Sequence, residues 1–297
     1  MDLRQLEYFQ MASRLKSISK AAEQLHVAQP SVSIAIQKLE EELGVLLFDR
    51  SQRQIMLTSE GMLFFQRVNE ILTRIQDSIT EMKDLQLLQK GSIKIGIPPM
   101  IGAFLFPHIF AQFRKHYPLL ELSAIEGGSL SVQKLIEQGK IDVGIITKST
   151  PSAALEFLPI TTGQILICLN TDHPLSKLSS IPFNLLKDQP LIMLKEDTYI
   201  RQIINAECNK HHFTPNIVFS SSQVETIIGL IEQGIGISLL FDAITQKRTT
   251  VQSRPLTEPI YFEIALVWNR NRYLSNAAKA FIDFITSTHT DIKLINQ

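Results

Sequence analysis

The chain has 297 residues, 44% of them hydrophobic, with 29 Lys/Arg balanced by 29 Asp/Glu and two cysteines. That length suggests about two domains with room for a proper core, and the even charge leaves gross electrostatics silent about partners. Few cysteines and no signal-like start point to a reduced, intracellular setting, and no apolar run nears the roughly 18 residues of a bilayer span, so a soluble cytoplasmic protein is expected.

Residues 3–14 place Leu3, Leu6 and Phe9 on one helical face. Ser17 stands where an N-cap belongs, ahead of ISKAAEQLH, whose Ala21, Ala22 and Leu25 form an inward stripe. After a short turn, Pro30 fits a first helical position, Val32, Ile36, Leu39 and Leu43 recur at helical spacing, and Gly44 supplies the stop. Two short helices, a tight turn and a small Ala-Ala pair describe a helix-turn-helix. Gln29, Ser31, Ser33, Ile34, Gln37 and Lys38 then lie on or near the open side, where a major groove would meet amide and hydroxyl groups suited to base edges. A polar helix end touching only water, or a protein-binding helical hairpin, would use the same residue types. The next segment, VLLFDRSQRQIMLTSEG, reads as a hairpin wing with Arg50 and Arg53 near its tip, able to reach phosphates or the minor groove. Residues 1–60 hold seven Lys/Arg against eight Asp/Glu, so any DNA affinity must come from local placement of these groups.

The stretch AAEQLHVAQPSVSIAIQKLEEELGVLLFDRSQRQIMLTSEG resembles the N-terminal signature of the LysR-type transcriptional regulators. The Ala-Ala pair, Gln-Pro-Ser-Val-Ser, Leu-Glu-Glu-Glu-Leu-Gly, Leu-Phe-Asp-Arg and Leu-Thr-x-x-Gly all occur in order. The resemblance implies DNA contacts from Gln29, Pro30, Ser31 and Ser33, with Arg50 and Arg53 in the wing. This sequence departs from it at Ile34, where the family often carries a basic or amide side chain. Ile34 either packs inward or meets a thymine methyl.

Residues 58–88 hold no Gly or Pro after Gly61, and Phe65, Val68, Leu72, Ile75, Ile79 and Met82 repeat at alternating intervals of three and four. That spacing predicts a two-helix coiled coil, the alternative being a helix docked on its own domain. A dimer would present two recognition helices to an interrupted inverted repeat in duplex DNA. The resemblance implies the same, with assembly into dimers or dimers of dimers, and RNA polymerase is a possible further partner.

From Gln89 onward strands alternate with helices. SIKIGI, LELSAIE and DVGIIT read as strands of one lobe, PLIML and NIVFSS as strands of a second, and YFEIALVW with the helix after it returns to the first. LIEQG occurs twice, at 135–139 and 230–234, each time between an apolar helix and an apolar strand, which argues for two similar lobes. The expected organisation is an α+β multi-domain chain: a winged helix-turn-helix at 1–58, a linker helix at 59–89, and an α/β two-lobed effector-binding domain at 90–297. Lobe I takes 90–162 and 263–297, and lobe II takes 163–262. The family resemblance implies that this last domain has a periplasmic-binding-protein-like fold and senses a small effector in its cleft.

Ligands of such sheets sit at the strands' C-terminal ends. Those loops bring Pro99, Met100 and Ile101 from one strand end, Gly128 and Ser129 from the next, and Thr147 from the third. The second lobe offers Thr198, Tyr199 and Ser221, with Arg201 as the cation. Hydroxyls, glycines and helix N-termini suit a small anion such as a carboxylate, although Ser and Thr before helices also serve as plain caps. No Gly-rich phosphate loop, HExxH or GxSxG appears, so no catalytic residue, metal or cofactor is assigned and no enzyme is expected. Cys208, His211 and His212 lack a fourth ligand nearby in sequence. A redox-responsive regulator using Cys168 and Cys208, as in peroxide-sensing members of the resembled family, and a cytosolic solute-binding protein are the alternatives.

Overall fold

Three helices open the chain and share one core. The computed structural model describes residues 1–49, 55–86, 91–148, 152–241 and 249–293, which form two units, Met1–Met82 and Lys83–Gln297. Helix α1 (Leu3–Leu15) starts from a capping box, in which the side chains of Asp2 and Gln5 each accept the other's backbone N–H. Helix α2 (Ile18–Gln24) is capped by Ser17, which accepts the N–H of Lys20. Helix α3 (Gln29–Leu43) begins one residue earlier than expected, with Pro30 still in the first turn, where a missing N–H leaves no helical bond unmade. Gly44 ends it at φ 69°, a conformation that costs glycine least. Leu6, Phe9, Ala21, Ala22, Val32, Ile36 and Leu39 are buried together. The Phe9 ring lies 5.4 Å from Phe48 and 5.3 Å from Phe64.

The expected wing is present as β1 (Phe48–Asp49) paired antiparallel with β2 (Met56–Leu57). Its tip, with Arg50 and Arg53, lies outside the described residues. Helix α4 (Ser59–Gln86) follows, 28 residues long, or about 42 Å at 1.5 Å per residue. It starts hard against the wing: a Cβ on Gly61 would stand 2.0 Å from the Leu47 carbonyl oxygen.

The predicted coiled-coil seam needs correction in its first half. Val68 is fully buried in the unit's own core, and Phe65 and Leu72 pack against that core. Asn69 adds a polar lock, its Oδ1 accepting from Gln10 at 2.7 Å on α1. A spacing of three and four specifies an apolar stripe, not the surface that covers it, and here α1 covers the first turns. Farther along, Ile71, Ile79 and Met82 are exposed and Ile75 is half-buried.

In the second unit β3 (Ser92–Ile97) pairs in parallel with β4 (Glu121–Glu126) and β5 (Val143–Thr147). Two helices follow β3, α5 (Pro99–Phe104) and α6 (Phe106–His116), because Pro107 is tolerated only in a first turn. Helix α7 (Ser129–Glu137) leads into β5, whose five residues are all buried. The second lobe repeats the scheme with β7 (Leu191–Leu194), α8 (Tyr199–Lys210), β8 (Ile217–Ser221), α9 (Val224–Glu232) and β9 (Ser238–Phe241). Two long antiparallel strands, β6 (Leu155–Asn170) and β10 (Val251–Asn269), pass through both lobes and join them in a sheet ordered β4-β3-β5-β10-β6-β9. Within them the sequence alone marks only QILICLN (164–170) and YFEIALVW (261–268) as strand. The ladder absorbs Pro255 and Pro259 at the register break between Pro255 and Ile260.

The LIEQG repeat is structural. In both copies the closing glycine is left-handed, φ 65° at Gly139 and 70° at Gly234. The next residue donates back to the repeat's leucine, Lys140 to Leu135 at 2.9 Å and Ile235 to Leu230 at 3.1 Å. One helix-ending motif therefore serves each lobe at the equivalent place. Helix α10 (Asn276–Lys293) returns to the first lobe. Asp84, near the end of α4, accepts the N–H of Asn276 at 2.8 Å and the hydroxyl of Tyr273 at 3.2 Å. No described helix is long and apolar enough to cross a membrane.

Candidate DNA interface and effector cleft

The outer face of α3 is built by its inner one. Burying Val32, Ile36 and Leu39 turns Gln29, Pro30, Ser31, Ile34, Gln37 and Lys38 to the surface, with Ser33 half-buried at the edge. Ile34 is 52% exposed, so the inward alternative does not hold. Ala28 at the N-cap supplies no side-chain bond, unlike Asp2 and Ser17 on the two preceding helices. The first-turn N–H groups of α3 thus carry no side-chain acceptor, and a phosphate suits them in charge and geometry.

Glu40 is the residue sequence reasoning missed in this unit. Its Oε1 accepts the N–H of Leu47 at 2.8 Å and of Phe48 at 3.1 Å, joining the recognition helix to the first strand of the wing. Glu40, Glu41 and Glu42 look alike as a run. Position 40 lies one turn after Ile36, on the buried face, and that phase was the available signal.

In the second unit the structure gathers part of the expected cleft. Ser129 Oγ accepts the Thr147 N–H at 3.3 Å, and both side chains are buried. Gly128 sits at the N-terminus of α7 and meets Asp197, from the loop after β7 in the other lobe. The Asp197 carboxylate accepts the Gly128 N–H at 2.8 Å and the Ser131 hydroxyl at 2.9 Å, while its backbone carbonyl accepts the Leu130 N–H at 3.2 Å. A carboxylate of the chain itself therefore occupies this helix end and clasps lobe to lobe. A second contact joins the lobes where Phe104 meets Phe241 edge-on at 5.6 Å.

Other expected lining residues serve the fold. Met100 and Ile101 belong to the core, and Pro99 begins α5. Thr198 caps α8, next to half-buried Tyr199, and Ser221 Oγ accepts the Gln223 N–H at the start of α9. Arg201 is not an open cation: it is 5% exposed, donates from one terminal nitrogen to the Leu194 carbonyl at 3.2 Å, and leaves its buried Nε without a partner. Burial lowers its pKa from the ordinary value, opposed by the charge of Glu196.

Burial pushes the Cys168 thiol up to about 12 and the Cys208 thiol up to about 11, the latter against the pull of Arg201. At pH 7 the thiolate fractions are then about 10⁻⁵ and about 10⁻⁴, against a few per cent for a free cysteine. Iodoacetamide is expected to label the native chain at least a hundredfold more slowly than the unfolded chain; equal rates would contradict the burial. Because folding raises both pKa values, the linked stability is full below about pH 8.5 and is lost as pH climbs toward 11 and 12. Cys208 is buried and His211 stacks on Phe183 at 5.1 Å. Among the described residues no group of three or more His, Cys, Asp or Glu is placed to hold a metal.

Comparison with known proteins agrees with this geometry. Residues 3–62 match the family model of the bacterial regulatory helix-turn-helix proteins of the lysR family, and residues 87–289 match the LysR substrate binding domain. The chain is similar to YwbI of Bacillus subtilis, described as an uncharacterized HTH-type transcriptional regulator, at 34% identity over 99% of this chain and 98% of the relative. Among solved structures it is similar to the LysR family regulator HinK of Pseudomonas aeruginosa, with 27% identity, TM-score 0.59 and 99% of each chain covered. A full-length OxyR variant of the same organism gives 26% identity and TM-score 0.63, over 96% of this chain and 94% of that one. The chain belongs to the LysR family of transcriptional regulators, with an N-terminal DNA-binding helix-turn-helix and a C-terminal effector-binding domain.

Proposed function

We propose that this regulator grips duplex DNA as a homodimer or a dimer of dimers, at an interrupted inverted repeat, under control of a small anionic effector held between its lobes. The observation that carries the DNA-facing half is the outer face of α3, polar around one isoleucine and headed by a helix end without a side-chain cap. Gln29 and Ser33 read bases, Pro30 and Ser31 shape the approach, and Lys38, Arg50 and Arg53 contact phosphate. Pairing uses the outer part of α4: Ile71, Ile75, Ile79 and Met82 follow one another at helical spacing and keep outward apolar surface. The edge strand β8 exposes Val218 and Phe219, a second surface suited to self-association. The division proposed is DNA binding at 1–58, a linker at 59–89 and an effector-binding domain at 90–297 whose second lobe takes 163–262. Action is by binding, in the cytoplasm at promoters where RNA polymerase works, with no catalysis and no cofactor besides the effector.

An acidic effector is supported by the carboxylate already seated on the N-terminus of α7. A redox trigger is disfavoured, because both thiols are buried and held protonated. The test is a thermal-shift panel on the full chain with small carboxylates, amino acids and inorganic anions. An effector present at about a hundred times its dissociation constant adds roughly 2.7 kcal/mol. For the transition of the larger unit this raises Tm by about 5–10 °C. A response confined to neutral ligands would contradict the anionic class, and a Tm unmoved by the whole panel but moved by peroxide would favour the thiols.

A further inference from the structure

We infer that Ile34 is a sequence-reading residue, which selects a thymine in the operator through its C5 methyl group. The inference rests on the assignment of α3 as the helix that enters the major groove. Ile34 is half-exposed at the middle of the outer face, with Pro30 and Ser31 one turn before it and Gln37 and Lys38 one turn after, all exposed. Gln37 is turned along the helix, its Nε2 bonded to Glu41 at 3.0 Å. The three branched or bulky apolar residues nearest in sequence, Val32, Ile36 and Leu39, are all fully buried. Ile34 is the exception to that phase.

A single exposed apolar side chain is ordinary on a protein surface; its place gives this one meaning. A β-branched residue gains nothing for an exposed helix position, where Ala, Lys or Glu favours the helix more. Isoleucine also has no donor or acceptor, so it can pair with neither phosphate nor a base's polar edge. The thymine methyl is the apolar group that base pairs present in the major groove. A stiff χ1 keeps the ordering cost of that contact low.

The test uses the full chain. Preferred duplexes are recovered from a randomised pool, and each thymine is then replaced in turn by deoxyuridine, which lacks only the C5 methyl. Dissociation constants are measured for the native chain and for Ile34→Ala. At one thymine per half-site, loss of the methyl should weaken native binding about three- to tenfold. Ile34→Ala should bind the thymine and deoxyuridine duplexes equally at that position. The proposal is overturned if no deoxyuridine weakens the native chain, or if every such loss is equally large in Ile34→Ala. Should Ile34→Ala misfold, Ile34→Val replaces it, and a reduced but not abolished discrimination is the expected result. Native chain that binds no duplex at any salt would instead overturn the assignment of α3 itself.

Discussion

Glu40→Ala is expected to lower the melting temperature of the N-terminal unit by roughly 10–50 °C. Two buried N–H groups, those of Leu47 and Phe48, lose their acceptor, and each buried donor left unmade costs about 1–3 kcal/mol. In a unit of this size one kcal/mol is worth about 4–8 °C. The unit also loses the tie between the recognition helix and the wing, so DNA affinity falls with stability. Glu40→Gln keeps an oxygen in place and should recover at least half of the loss, which separates a hydrogen-bonding role from a charge effect. Circular dichroism melts of the full chain, read at the transition that a C-terminal ligand does not move, decide it. A Glu40→Ala transition within about 1 °C of the native one would mean that water replaces the carboxylate without cost.

The second large effect is expected at the clasp between the lobes. A Cβ at Gly128 would fall 2.2 Å from the Asp197 carbonyl oxygen and 2.6 Å from its carboxyl carbon. Gly128 has φ −61° and ψ 155°, which any residue adopts, so Gly128→Ala adds no backbone strain and acts by collision alone. The clasp cannot close in that variant. Asp197→Ala is milder, because the backbone carbonyl can still meet the Leu130 N–H while the Gly128 and Ser131 donors fall vacant. Amide exchange at Gly128 should quicken in Asp197→Ala, and at residues 128 and 130 together in Gly128→Ala. The two variants should then part in ligand response. Vacant donors favour an acidic effector, and charge-assisted hydrogen bonds of this kind are worth about 1.5–3 kcal/mol, so Asp197→Ala should bind it roughly tenfold more tightly or better. Gly128→Ala obstructs the same donors and should bind it more weakly. Equal effector affinity in native chain and Asp197→Ala would place the effector elsewhere.

These two sites also show where sequence stops being legible. The helix-turn-helix could be read because its information is local: cap residues, a closing glycine, and apolar positions whose phase fixes the outer face. The lobes could be read because helix and strand alternate, and because LIEQG ends α7 and α9 in the same way. Partnership was harder than periodicity. The α4 stripe has one spacing, yet Val68 serves the unit's own core while Ile79 and Met82 face outward. Nothing local distinguishes the two halves. β6 and β10 are legible over only about half their length, because the rest of each strand is defined by its pairing with the other and not by a local pattern. Asp197 meets Gly128 across 69 residues of sequence, and such a contact exists only once both lobes are folded.

The most direct test of the central claim is binding of selected duplex DNA by the full chain across a salt series, with Gln29→Ala/Ser33→Ala as the comparison. The native chain should prefer its selected duplex over random duplex, with affinity falling linearly on a log–log plot against salt. The double variant should keep the salt dependence and lose the preference by about a hundredfold, since each good base contact contributes about 1–3 kcal/mol of discrimination. A double variant with the native preference intact would contradict the assignment of α3 as the reading helix.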